Sequence, residues 1–218
     1  MATPSSLGGN QSTSMSANSF SFTITNQINV GDLVVIGVYS HSTVTSISDG
    51  ANLYQRLQLE PQSTVNLELW YCISATSSRS LGATITAHFA ATTTQAGIVG
   101  ASLSSLVQVD TSAANTGTSI SSLSVTSHSL QQANEIAFGL ALDFQLHTPT
   151  PTSGFTQIAS AGNYLVLFYD NLVSALPVTF SFSVSPNSDI LVGIVGTFMF
   201  TPTPFVRRGV VYRSLLRM

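Results

Sequence analysis

Leu33-Val-Val-Ile-Gly-Val-Tyr39 is the stretch on which the fold turns. Seven residues rich in β-branched side chains, with no polar break, suit a strand covered on both faces. Upstream, Phe20, Phe22 and Ile24 alternate with Ser21, Thr23 and Thr25, the period of two expected of a half-buried strand. Downstream, strand-like segments recur at 65–73, 81–89 and 97–103, and Asp49-Gly50 supplies a turn signal. No segment keeps a 3.6-residue apolar stripe over three turns, so helix is expected to be nearly absent. The expected class is all-β, an antiparallel β-sandwich of jelly-roll-like form.

The pattern repeats. Ser21-Phe-Thr-Ile-Thr, a polar turn with Asp32, and an apolar strand ending at Gly37 are echoed by Ser122-Leu-Ser-Val-Thr, a turn with Glu135, and a strand ending at Gly139. Leu67-Glu-Leu-Trp-Tyr71 matches Leu165-Val-Leu-Phe-Tyr169, the 83–89 strand matches 178–184, and Gly97-Ile-Val-Gly100 matches Gly193-Ile-Val-Gly196. Two pseudo-equivalent halves, 20–107 and 120–200, are expected. A single jelly-roll-like sandwich is the favoured arrangement, and two side-by-side sandwiches are the alternative. Residues 109–119 read as a short polar join. Residues 1–19, rich in Ser, Thr, Asn, Gln and Gly, read as a polar arm that neighbouring chains hold in place, because alone they bury too little apolar surface to offset their ordering entropy.

Charge is scarce: the 218 residues include six arginines, no lysine and nine acids, for a net charge of −3. Such a balance gives no general affinity for nucleic acid, which is not expected as a partner. The N-terminal sequence has neither a basic start nor an apolar core, so no secretory signal is read. No run of about 18 apolar residues offers a membrane-spanning helix, and no membrane partner is expected. The single cysteine, Cys72, lies in an apolar run and reads as a buried, inert thiol.

Chemistry has few footholds. His41, His88, His128 and His147 are spread without ligand spacing, with His88 read as a partly buried strand residue. No Gly-x-Ser-x-Gly elbow occurs. Asp32, Asp49, Asp110 and Asp189 sit in turn-like contexts, whereas Glu68 lies in a strong strand. No catalytic residue, metal site or cofactor is expected. Trp70, Tyr54 and Tyr164, with Tyr71 and Tyr169, are candidates for a sugar-stacking surface. Trp70 and Tyr71 are adjacent in a strand, however, so at least one belongs to the core.

The C-terminal segment is the most specific element. Beyond Thr201-Pro-Thr-Pro204, where proline ends a central strand, come Phe205, Arg207, Arg208, Tyr212, Arg213, Leu215, Leu216 and Arg217. Arginines set among large apolar residues are interface-like. Residues 201–218 therefore read as a partner-binding arm.

Val30-Gly-Asp-Leu-Val-Val-Ile-Gly-Val, then Val44-Thr-Ser-Ile-Ser-Asp-Gly-Ala-Asn-Leu-Tyr, then Leu69-Trp-Tyr-Cys-Ile resemble a theme of prokaryotic surface and phage structural proteins. The resemblance covers about residues 20–107, with a fainter echo in 120–200. It implies a β-sandwich module of virion structural proteins, in a capsid decoration or tail protein. The expectation is a non-enzymatic capsid decoration (cement) or minor capsid subunit located in the virion. It would bind the major capsid protein or other virion subunits, and form a homo-oligomer, with a trimer as the guess. A receptor- or glycan-binding tail-fibre or adhesin module is the alternative.

Overall fold

The computed structural model describes residues 3–62, 64–105, 107–152 and 154–201, and they are strands, turns and loops throughout. The first half comprises β1 (Ser5–Ser12), β2 (Ala17–Thr23), β3 (Leu33–Ser40), β4 (Val44–Ser48), β5 (Gln55–Pro61), β6 (Asn66–Cys72), β7 (Thr84–Thr93) and β8 (Ala96–Leu103). The second comprises β9 (Val107–Thr126), β10 (Glu135–Asp143), β11 (Thr150–Pro151), β12 (Thr156–Ala161), β13 (Leu165–Leu172) and β14 (Thr179–Phe200). The chain is an all-β protein of packed antiparallel sheets.

The halves share one topology. In the first, a broad sheet runs β1-β8-β3-β6-β5 and a narrow one β2-β7-β4. In the second, β9 and β14 are long strands that each serve two sheets. Their outer parts pair as 107–118 with 190–200, next to β10, β13 and β12; their other parts pair as 122–126 with 179–183, next to β11. The register breaks between Ser183 and Ser188, where β14 passes from one sheet to the other. Each half is thus a broad sheet facing a narrow one.

Side-chain alternation stacks these sheets in four layers. Leu33, Val35 and Tyr39 enter a central cluster, while Val34, Ile36 and Val38 enter the first half's outer cluster with Phe22, Ile47 and Ile85. In the second half Ile136, Phe138, Leu140 and Leu142 point to the central cluster, and Ala137 and Ala141 to an outer one with Phe180 and Phe182. The central cluster therefore lies between the two broad sheets and joins the halves. At roughly 1.5–3 kcal/mol for each large apolar side chain buried, this shared core makes the pair a single packed body. Each half has its own outer core, and the two pack face to face through the central cluster.

A pseudo-twofold axis relates them. Gly37 pairs with Leu69 and Val99, and Leu140 with Leu167 and Ile194, so Gly37 and Leu140 are structural equivalents. The bulge between Arg56 and Gln58 recurs between Gln157 and Ala159. Strand β1 lies against β12, and its counterpart contact, β9 against β5, is also made. Where the axis crosses the core, Leu140 fills the space above Gly37: a Cβ there would lie 2.4 Å from Leu140 Cδ1.

This register differs from the sequence echo by one residue at the glycines. The echo equates Gly37 with Gly139, yet Gly37 faces Leu140 in the central core and Gly139 faces Phe180 in the outer one. A one-residue slip exchanges the faces of a strand. Asp32 is five residues before Gly37 and Glu135 five before Leu140, so the acids remain true equivalents.

Two assignments are corrected. Residues 5–12, expected as an arm, form the edge strand β1 on β8, with Leu7 buried as an anchor. The expected join at 109–119 is the middle of β9, laddered to β14.

Candidate functional site

The C-terminal arm residues Phe205, Arg207, Arg208, Tyr212, Arg213, Leu215, Leu216 and Arg217 lie outside the described residues. The last strand, β14, ends at Phe200, and Thr201 is the last described residue.

Of the candidate sugar-stacking aromatics, Tyr71 and Tyr169 are half-buried against the central core and the other three are buried. Trp70 and Tyr54 are buried in the first half's outer core, and Tyr164 is buried in the central core. Their polar ends are used internally: Trp70 Nε1 donates to Glu68 Oε2 at 3.0 Å, Tyr54 OH to Asp49 Oδ2 at 3.1 Å, and the Tyr39 and Tyr164 hydroxyls meet at 2.6 Å. A stacking platform needs exposed ring faces, and the three buried rings present none. His88, expected to be partly buried, is exposed on β7.

The acids fasten turns and strands. Burial pushes the Asp49 carboxyl up. The N–H groups of Asn52 and Ala51, the Asn52 side chain and the Tyr54 hydroxyl more than offset this and hold it below the usual range. Cys72 is buried, and burial raises its thiol pKa, as an inert thiol requires. Asp143 accepts from Ser188 Oγ and from the backbone N–H of His147, whose Nδ1 lies 2.7 Å from Asp143 Oδ2. A serine, a histidine and an aspartate thus meet, but both partners bind the acid. A nucleophilic relay needs the histidine between the other two. Among the described residues, no three His, Cys, Asp or Glu side chains converge as a metal site.

Two pseudo-equivalent positions remain, at the starts of β3 and β10. In the first half Asp32 accepts from the Asn29 N–H at 2.9 Å and from Ser104 Oγ at 2.8 Å. It lies in a polar cavity of about 280 Å³ whose walls include Thr3, Ser5, Gln27, Asn29, Ser102 and Ser104. Hydroxyls and amides around one engaged carboxylate suit a neutral, hydrogen-bonding ligand and supply too little charge for a bare cation. In the second half Glu135 accepts from the Gln132 N–H at 3.2 Å, again three residues upstream. There a second acid, Asp110, stands on the corresponding edge strand, β9, where the first half has the serines of β1. Asp110 and Asp189 both lie within strands and not in the turns expected from sequence. The Asp110–Glu135 pairing was missed because residues 107–120 carry no clear alternation from which to infer a strand.

No protein-family model matches the chain, and no curated protein matches it in sequence.

Proposed function

We propose that this chain is a non-enzymatic viral structural protein, a capsid decoration or minor capsid subunit that binds neighbouring capsid chains and assembles as a homo-oligomer. The observation that carries this reading is the tandem winding. In each half the order β1-β8-β3-β6 over β2-β7-β4, or its second-half counterpart, is read as a jelly roll, an architecture of viral capsid and lectin domains. The deployment of charge supports it. The body uses its acids to close turns, and four of the six arginines fall in the last twelve residues.

The outer faces support the reading too. Hydroxyl pairs cross the narrow sheets: Ser21 with Thr86 at 2.7 Å, Ser124 with Ser181 at 2.8 Å, and Thr126 with Thr179 at 2.9 Å. Contacts made through such neutral faces resist screening. The protein is expected to stay on its particles through a wash in roughly 0.5 M salt. Release by that wash, followed by immunoblotting, contradicts the neutral-contact reading.

One observation favours a glycan-binding module as second reading: the hydroxyl- and amide-lined cavity at Asp32. Binding on a glycan array that is lost in Asp32→Asn would support it.

A further inference from the structure

We propose that Glu135 and Asp110 share a single proton, and that this proton clamps edge strand β9 and the end of β14 to the 131–134 turn, so that rising pH loosens the end of the body where β14 finishes.

The geometry forces the two carboxyl groups together. Asp110 Oδ2 accepts from the N–H of Gln131 at 3.1 Å, and Glu135 Oε1 from the N–H of Gln132 at 3.2 Å. Consecutive amides of one turn thus hold both acids side by side. Glu135 is only 1% exposed, and among the described residues its buried Oε2 meets no donor. The consecutive amides set Asp110 beside Glu135, and two neighbouring carboxyl groups can hydrogen-bond each other only when a proton lies between them. At the equivalent place in the first half, the hydroxyl of Ser104 donates to Asp32 and no proton is needed.

Among the described residues, no arginine pairs with either acid. From β9 the facing charge is that of Asp110, and beyond it Thr111 Oγ1 meets His128 Nδ1 at 3.3 Å. The backbone neighbours of Glu135 are Leu172 on β13 and Met199 on β14, both neutral, with Asp170 two residues along β13. Of the two arginines among the described residues, Arg56 is on Glu68 and Arg79 is bridged to Ile28, both in the first half.

The same turn holds the end of β14. Gln132 Nε2 donates to the carbonyl of Phe200 at 3.0 Å, so one short segment binds Asp110, Glu135 and the end of β14. Burial pushes Glu135 up to about 7, helped by the neighbouring Asp110 and opposed by the Gln132 N–H. A carboxyl whose pKa is raised by folding contributes its stability fully below the ordinary carboxylate range. That contribution is lost as pH rises through the folded value.

The test is made on the full chain. Its melting temperature is expected to fall by roughly 5 °C between about pH 5.5 and pH 8.5. Over the same interval, hydrogen-exchange protection of the Gln131 and Gln132 amides should drop about tenfold or more. Glu135→Gln keeps a donor toward Asp110 but carries no titrating proton, and Asp110→Asn removes the like charge. Both should flatten the pH dependence. Unchanged protection in the natural chain, or an equal pH dependence in Glu135→Gln, overturns the proposal. The protection measurement decides the matter even if a variant fails to fold.

Discussion

Replacing Phe180 by alanine is expected to destabilise the chain by about 3–5 kcal/mol and to lower its melting temperature by roughly 10 °C. The ring is fully buried and lies among three others, with centroids 4.8 Å from Phe155, 5.5 Å from Phe168 and 5.3 Å from Phe182. It also covers the bare backbone of Gly139, where an added Cβ would lie 2.6 Å from the ring. The neighbouring rings are fixed on β13, on β14 and in the loop before β12, so they cannot all close on the space left behind. Denaturant unfolding measures the effect. A loss under about 1 kcal/mol would mean that the second half's outer core is loosely packed.

Glu68→Ala is expected to cost a similar amount, about 3–5 kcal/mol, for an electrostatic reason. Glu68 is 1% exposed in the middle of β6, a strand otherwise rich in apolar side chains. Its Oε1 accepts from the Val44 N–H at 2.7 Å, and its Oε2 from Trp70 Nε1 at 3.0 Å and from Arg56 at 3.3 Å. Burial raises its pKa, although all three donors favour the charged form. The alanine variant leaves the Val44 and Trp70 donors buried without an acceptor, and it frees Arg56 from its place over the Trp70 ring. Glu68→Gln keeps an acceptor and should lose less. Trp70 is the single tryptophan, so its fluorescence reports this site directly. Equal losses for the two variants would show that the hydrogen bonds to Glu68 carry none of the stability.

The strands that were legible in the sequence are those whose side chains hold them. Leu33 to Tyr39 reads as covered on both faces, and its residues do alternate between the central and outer cores. Strands β1 and β9 were not legible because side chains say little there. Residues 5–12 bury one large apolar side chain, and the strand is held by its backbone ladder to β8. A polar composition prices the side chains of an edge strand and leaves its main-chain hydrogen bonds out of account.

The contacts of the candidate aromatics and acids were hidden for related reasons. Tyr164 looked available for stacking, but its hydroxyl partner, Tyr39, is 125 residues away across the pseudo-twofold core. Asp110 meets Glu135 only because β9 runs beside β14, a register that no local pattern announces. The sequence echo placed Asp32 and Glu135 together correctly while slipping the glycines by one. Strand pairing, not sequence similarity, fixes which face each glycine occupies.

The central functional claim is that a charge-poor double sandwich carries its docking arm at the C-terminus. Co-sedimentation with particles lacking the protein tests this most directly, comparing the full chain with one truncated after Thr203 that melts at the same temperature. The account predicts that the full chain pellets with the particles and the truncated chain stays in the supernatant. Equal pelleting of both would contradict the arm, and pelleting of neither would contradict the assembly role itself.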